Sequence, residues 1–121
     1  MIVEVSGLPV YTTNATPGVF ALGPIADNEV IEYEIHVLAL SDTGVAKSWD
    51  VRRTGKKIGA NAPLFVGSQT AVAVPADAGA ASWTIGTSLT GVRVLNVTLT
   101  GAAATNIKWE VTGVGRTCRL P

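Results

Sequence analysis

The stretch that decides the fold runs Ile31-Glu32-Tyr33-Glu34-Ile35-His36-Val37-Leu38-Ala39-Leu40, then Ser41-Asp42-Thr43-Gly44, then Val45-Ala46-Lys47-Ser48-Trp49-Asp50-Val51-Arg52. Ile31, Tyr33, Ile35, Val37 and Ala39 share one parity, while Glu32, Glu34 and His36 share the other. Alternation with period two marks a strand buried on one side. The returning segment places Val45, Trp49 and Val51 on one face and Ser48, Asp50 and Arg52 on the other. A three-residue loop, Asp42-Thr43-Gly44, with Gly44 left-handed in a G1 bulge, pairs Ser41 with Val45. That register sets Val37 opposite Trp49 and Ile35 opposite Val51, with His36 opposite Asp50 and Glu34 opposite Arg52 on the wet side. A four-residue loop would set Ile35 beside Asp50 and mix the faces, so patterning selects three. The exposed pairs contribute about 0.2–1 kcal/mol each and pin the register.

Downstream, residues 70–74 read as a strand ended by Pro75, and Asp77-Ala78-Gly79 as a turn. Ala81 to Ile85 carries a second tryptophan. Val92 to Leu99 places Leu95, Val97 and Leu99 on one face. Ile107, Trp109 and Val111 match them across Thr100 to Ala104, as a second hairpin. Helix-like composition occurs only around residues 76–81, where Gly79 and the shortness of the run oppose a helix. The expected fold class is all-β, an antiparallel β-sandwich or jelly-roll-like domain. Parity puts Trp49 and Trp109 in its core and leaves Trp83 as a candidate binding aromatic.

Upstream, Met1 to Val5 suits a short strand, after which Gly7, Pro9, Pro17, Gly18, Gly23 and Pro24 interrupt any ladder. Residues 1–28 are therefore expected to form an N-terminal arm or edge strap, and residues 29–121 the sandwich domain. Val3, Tyr11, Phe20 and Leu22 are the arm's candidate partner-binding side chains. Deleting 1–28 is expected to leave the domain folded.

Composition bounds the partners. Hydrophobic residues make up 47% of the 121 and charged residues 15%, with 13 glycines and a mean hydropathy of +0.36. So few charges leave uncharged surface for a partner or a second copy to cover. Nine basic side chains balance nine acidic ones, which gives no global case for nucleic acid or an anionic membrane. The lone Cys118 rules out an internal disulfide and fits synthesis in a reducing compartment. No signal peptide opens the chain, and no apolar run approaches the roughly 20 residues of a membrane span. A soluble protein made in the cytoplasm is expected.

No catalytic constellation emerges, and no enzyme activity, cofactor or metal is expected. His36 opposite Asp50 lacks a nucleophile and reads as a surface ion pair. Cys118 has basic neighbours, Arg116 and Arg119, but no base beside it. Asp27-Asn28-Glu29 supplies too few oxygens for calcium and reads as a strand-entry turn. Glu32, Glu34 and Asp50 share a flat face with no cleft to separate their pKa values. The sharpest charge feature is Arg52-Arg53-Thr54-Gly55-Lys56-Lys57. It reads as the end of a strand running into a Gly/Ala loop: a solvated loop, an anchor on an acidic protein surface, or a polyanion site. Arg52, Arg53, Lys56 and Lys57 join the candidate partner-binding residues.

Several runs are familiar in order: Ile35-His36-Val37-Leu38-Ala39, Ser48-Trp49-Asp50-Val51, Gly59-Ala60-Asn61-Ala62 and Phe65-Val66-Gly67-Ser68-Gln69-Thr70. They are followed by Ala76-Asp77-Ala78-Gly79-Ala80-Ala81-Ser82-Trp83-Thr84, Leu99-Thr100-Gly101 and Ile107-Lys108-Trp109. From Ile31 to Val111 the chain resembles a β-rich module of tailed-bacteriophage virion proteins, often found at the distal end of tail fibres and spikes. The resemblance implies a non-enzymatic virion part that acts as an oligomer. A module with its own Met1, no long shaft ahead of it and an apolar arm suits a capsid decoration (cement) protein. The expected partners are the major capsid protein of a phage shell and further copies of the chain, as a dimer or trimer. A receptor- or glycan-binding fibre tip using Trp83 is the alternative.

Overall fold

The computed structural model of the chain describes residues 1–90 and 93–120. Among these, nine strands form two antiparallel sheets, and no segment is α-helical. The larger sheet has the order β1–β9–β4–β5–β6, with β2 also on β9. Its members are β1 (Ile2–Val5), β2 (Val10–Thr12), β4 (Glu29–Ser41), β5 (Ala46–Lys57), β6 (Leu64–Ala76) and β9 (Ile107–Arg119). The smaller sheet has the order β3–β8–β7, from β3 (Gly18–Pro24), β8 (Val94–Thr100) and β7 (Thr84–Thr90). The chain is thus an all-β sandwich, six strands against three, which differs from the eight-strand double Greek key of a jelly roll.

The β4–β5 hairpin has the register its parity requires: Val37 faces Trp49, Ile35 faces Val51, His36 faces Asp50 and Glu34 faces Arg52. The turn closes through Ser41 N–H to the Val45 carbonyl at 2.8 Å and Gly44 N–H to the Ser41 carbonyl at 3.1 Å. Gly44 has φ 86°, in the left-handed region that lets the bulge keep both strands in step. Strand β6 runs through Pro75 to Ala76, and its register against β5 shifts between Lys47 and Ser48. Pro75 falls at that shift, where no ladder donor is needed.

Two expectations are corrected. β8 and β9 do not form a hairpin: β8 pairs with β3 and β7, and β9 with β4, β1 and β2. Leu95, Val97 and Leu99 match Ile107, Trp109 and Val111 because both sets point into the one core between the sheets. Val92, the expected start of β8, lies outside the described residues. Residues 1–28 are also more than an arm. β1 and β2 edge the larger sheet along β9, β3 supplies one of the three strands of the smaller sheet, and Val5 and Ile25 are buried. A domain lacking these residues lacks part of both layers.

The three tryptophans form the centre of the core. Trp49 stacks on Trp109 with centroids 5.6 Å apart, and Trp83 tilts against Trp109 at 6.2 Å. Trp83 is only 2% exposed, so it is not a surface aromatic. The Trp109 indole N–H donates to the buried Thr12 hydroxyl at 2.9 Å, which ties β2 to the core. Thr12→Val keeps the shape and removes the acceptor. It is expected to lower unfolding free energy by about 1–3 kcal/mol, the cost of an unpaired buried donor, with the loss read as a lower urea midpoint.

Candidate interaction surface

One face of the larger sheet looks into the core, and among the described residues the other has no layer over it. Reading across that outer face, Tyr11 on β2 lies beside Lys108 on β9, then Leu40 on β4, then Ala46 on β5. The next row runs Glu110, Leu38, Ser48. Outward parity gives these side chains to solvent: Tyr11 is 67% exposed, Leu38 56% and Leu40 54%. Two depressions flank Leu40. One, of ≈ 530 Å3, includes Leu38, Leu40, Ala46, Lys108, Glu110 and Asp77 in its lining. The other, of ≈ 420 Å3, lies between Tyr11, Leu40, Asp42 and Asn106. At their borders Lys108 pairs with Glu110 at 3.5 Å, and the Asn106 side-chain amide donates to Asp42 at 3.0 Å.

Beyond Leu38 the face turns polar. His36 pairs with Asp50, both well exposed. Glu34 accepts from Arg52 at 2.7 Å and lies 3.3 Å from Arg116, bridging β5 and β9 across β4. Exposed pairs of this kind add little stability. They set a hydrophilic boundary to the apolar strip.

The expected partner-binding residues do not converge. Tyr11 lies in the strip. Val3 is half-buried on β1, and Phe20 and Leu22 are half-buried on β3, packed against the core. The basic run is not a loop but the second half of β5, and alternation splits it between the two faces. Arg52 points outward to Glu34, six residues along β4 from Leu40, about 20 Å away at ~3.3 Å per residue. Arg53 has the inward parity. Its guanidinium stacks 3.6 Å over the Phe65 ring and donates to the Gly67 carbonyl at 2.9 Å. Lys57 is 8% exposed, bonded to the Gly59 carbonyl at 2.7 Å and paired with Asp27 at 3.0 Å. Lys56 alone extends freely exposed from the strand end.

Asp27-Asn28-Glu29 forms the strand-entry turn expected of it. The Lys57 hydrogen bond, with Arg93 close by, holds the Asp27 carboxyl below the usual carboxylate range. Asn28, at φ 57°, accepts from Gly59 N–H at 2.9 Å, and Glu29 accepts from Ala26 N–H at 3.2 Å. Lys47 is equally committed, donating to the Ala80 and Trp83 carbonyls at 3.2 and 2.9 Å. Among the described residues no group of three His, Cys, Asp or Glu side chains is placed to hold a metal ion. The outer face thus presents an apolar strip with the Lys108–Glu110 ion pair of β9 between Tyr11 and the leucines, framed by polar borders.

Sequence reasoning missed Leu38 and Leu40 as surface residues. Their signal lies in the same alternation: the outward positions Glu32, Glu34 and His36 are polar, and the next two are leucine. No family model matches this chain, and no curated protein sequence is significantly similar to it.

Proposed function

We propose that this chain is a structural protein of a tailed-phage particle: a decoration (cement) protein that binds the outside of the head and stabilises it by bridging neighbouring capsid subunits. The observation that supports this most is the exposed Tyr11–Leu40–Leu38 strip on an otherwise uncovered sheet face. Sparse charge and the sequence resemblance to virion modules point the same way. The proposed partner surface is the outer sheet face, to which the N-terminal segment contributes Tyr11; Val5 and Ile25 of that segment are buried in the core, while Met1, Ile2, Leu8 and Val19 are exposed as well. The mechanism is adhesion. Covering the strip against the major capsid protein removes apolar area from water, and binding only the assembled shell favours that shell by mass action.

Half-exposed leucines yield about 0.75–1.5 kcal/mol each when fully covered, half of the full-burial value. The double variant Leu38→Thr/Leu40→Thr is thus expected to weaken shell binding about 10- to 150-fold while its melting temperature stays within a few degrees of wild type. Co-sedimentation with undecorated heads of the phage encoding the chain reads the binding. Wild-type protein that fails to bind heads overturns the proposal, and labelled protein found at tail tips replaces it with the fibre-tip function.

A further inference from the structure

We infer that the capsid surface meeting the apolar strip is basic, a partner chemistry that rests on the shell binding proposed above. It is an apolar patch carrying two lysine or arginine side chains, one for Asp42 and one for Asp77.

Across the sheet from Leu40 lies Ala46, and Asp77 is bonded to Ala46 in turn. The Asp77 N–H donates to the Ala46 carbonyl at 3.0 Å, and its carboxylate accepts from the Ala46 N–H at 2.9 Å. Asp42 follows Leu40 by two residues, in the β4–β5 turn, and accepts from the Asn106 side-chain amide at 3.0 Å. Both aspartates are exposed, and each lines one of the two depressions beside Leu40. The donors that hold them are uncharged. Each carboxylate therefore keeps its full negative charge and has an oxygen left for a further donor. Among the described residues neither takes part in an ion pair. The other charged residues lining the depressions have partners within the chain. Lys108 and Glu110 pair with each other, and the Lys47 ammonium donates to the Ala80 and Trp83 carbonyls.

These two carboxylates decide what can lie over Leu40. A partner close enough to exclude water from the leucine also strips water from the aspartates beside it. A carboxylate taken out of water without a cation costs more than one covered leucine returns. The surface that covers the strip therefore supplies a cation to each, and a neutral or acidic patch is discriminated against. The chain has no such cation to lend. Its exposed Lys56 and Arg119 lie on the rows of Val30 and Glu29, ten and eleven residues along β4 from Leu40.

Co-sedimentation with undecorated heads of the phage encoding the chain, over a series of sodium chloride concentrations, tests this. Wild-type binding is expected to weaken about tenfold between roughly 0.05 and 0.5 M salt, because salt screens the pairs at the rim of the contact. That series needs no variant. Asp42→Asn/Asp77→Asn keeps both hydrogen bonds, since an amide oxygen accepts as a carboxylate does. It is expected to bind about tenfold more weakly than wild type at low salt and to lose most of the salt dependence. Leu38→Thr/Leu40→Thr should bind more weakly at every salt concentration with the wild-type slope, and Lys56→Gln/Arg119→Gln should change neither. Wild-type binding indifferent to salt, an Asn variant that binds as wild type does, or a slope abolished by Lys56→Gln/Arg119→Gln overturns the inference and leaves shell binding standing. Wild type that binds no heads at any salt overturns both. Self-association of the chain alone that is lost in the Asn variant makes a second copy the occupant, and overturns it too.

Discussion

A chain beginning at residue 29 is expected not to fold. Truncation removes β3, leaving the smaller sheet as the β7–β8 pair alone, and a two-stranded hairpin is marginal in water. It also removes Ile25, which is fully buried and closes over Gly55, along with Val5 and the Thr12 acceptor for Trp109. Ile25 and Val5 alone account for about 3–6 kcal/mol of burial, comparable to the whole stability of many domains. The loss of β1 and β2 then bares the edge of β9 along most of its length. Circular dichroism and amide proton dispersion decide the matter. A dispersed spectrum with a cooperative melt from residues 29–121 would show the N-terminal strands to be dispensable. Loss of shell binding on such a deletion would consequently report unfolding and say nothing of where the shell is touched.

Gly113→Ala should be the most damaging single methyl group in the protein, costing about 3–5 kcal/mol or abolishing folding outright. Gly113 lies in the middle of β9 with β4 on one side and β1 on the other, opposite Ile35 and Val5. A Cβ there would sit 2.2 Å from the Glu34 carbonyl oxygen and 2.7 Å from the Ile35 Cα, both backbone atoms of the adjoining strand. No rotamer change relieves that contact, and φ 156° adds strain for any L-side chain. Gly115, two residues on, makes a contrast: its Cβ would meet the edge of the Tyr33 ring at 2.8 Å, and a ring can shift. Gly44→Ala meets nothing within 4 Å and is charged only the left-handed penalty of about 1–2 kcal/mol. Urea midpoints should rank the three in that order of severity, with Gly113 far apart. A Gly113→Ala protein as stable as Gly44→Ala would show that β9 and β4 separate more easily than their ladder implies.

Most of the larger sheet was legible because its strands are wet on one side. Ile31 to Ala39 and Val45 to Val51 alternate cleanly, and parity with loop length fixes their register to the residue. Parity reports which side of a strand is buried, however, not which strand lies beside it. Leu95, Val97 and Leu99 therefore suited Ile107, Trp109 and Val111 equally well as hairpin partners or as opposite walls of a core. The N-terminal segment misled for a different reason. Glycine and proline every few residues preclude a long strand, yet three- and seven-residue strands at sheet edges tolerate them. At the surface, composition outweighed position. Four basic residues in six looked like a patch, although alternation from Trp49 and Val51 continues through Arg53, Gly55 and Lys57 to the inner side. The same alternation carries Leu38 and Leu40 outward, where their neighbours Val37 and Ala39 made them resemble core.

The place of β9 in the larger sheet bears on how the protein is made. This strand follows β1 to β8 in sequence and lies between β4 and the pair β1 and β2, so Ile2 must wait for the distant Arg116. Until translation passes Arg119, the nascent chain displays β4 with its inner-sheet edge open and β1 with nothing to join. Contacts this distant in sequence form slowly, because the loop between them must close first. The larger sheet thus closes only once β9 has been made, rather than strand by strand as the segment elongates. A stop codon inside β9 leaves β4 without one neighbour and β1 and β2 without the strand they pair with, so such a product is expected not to fold.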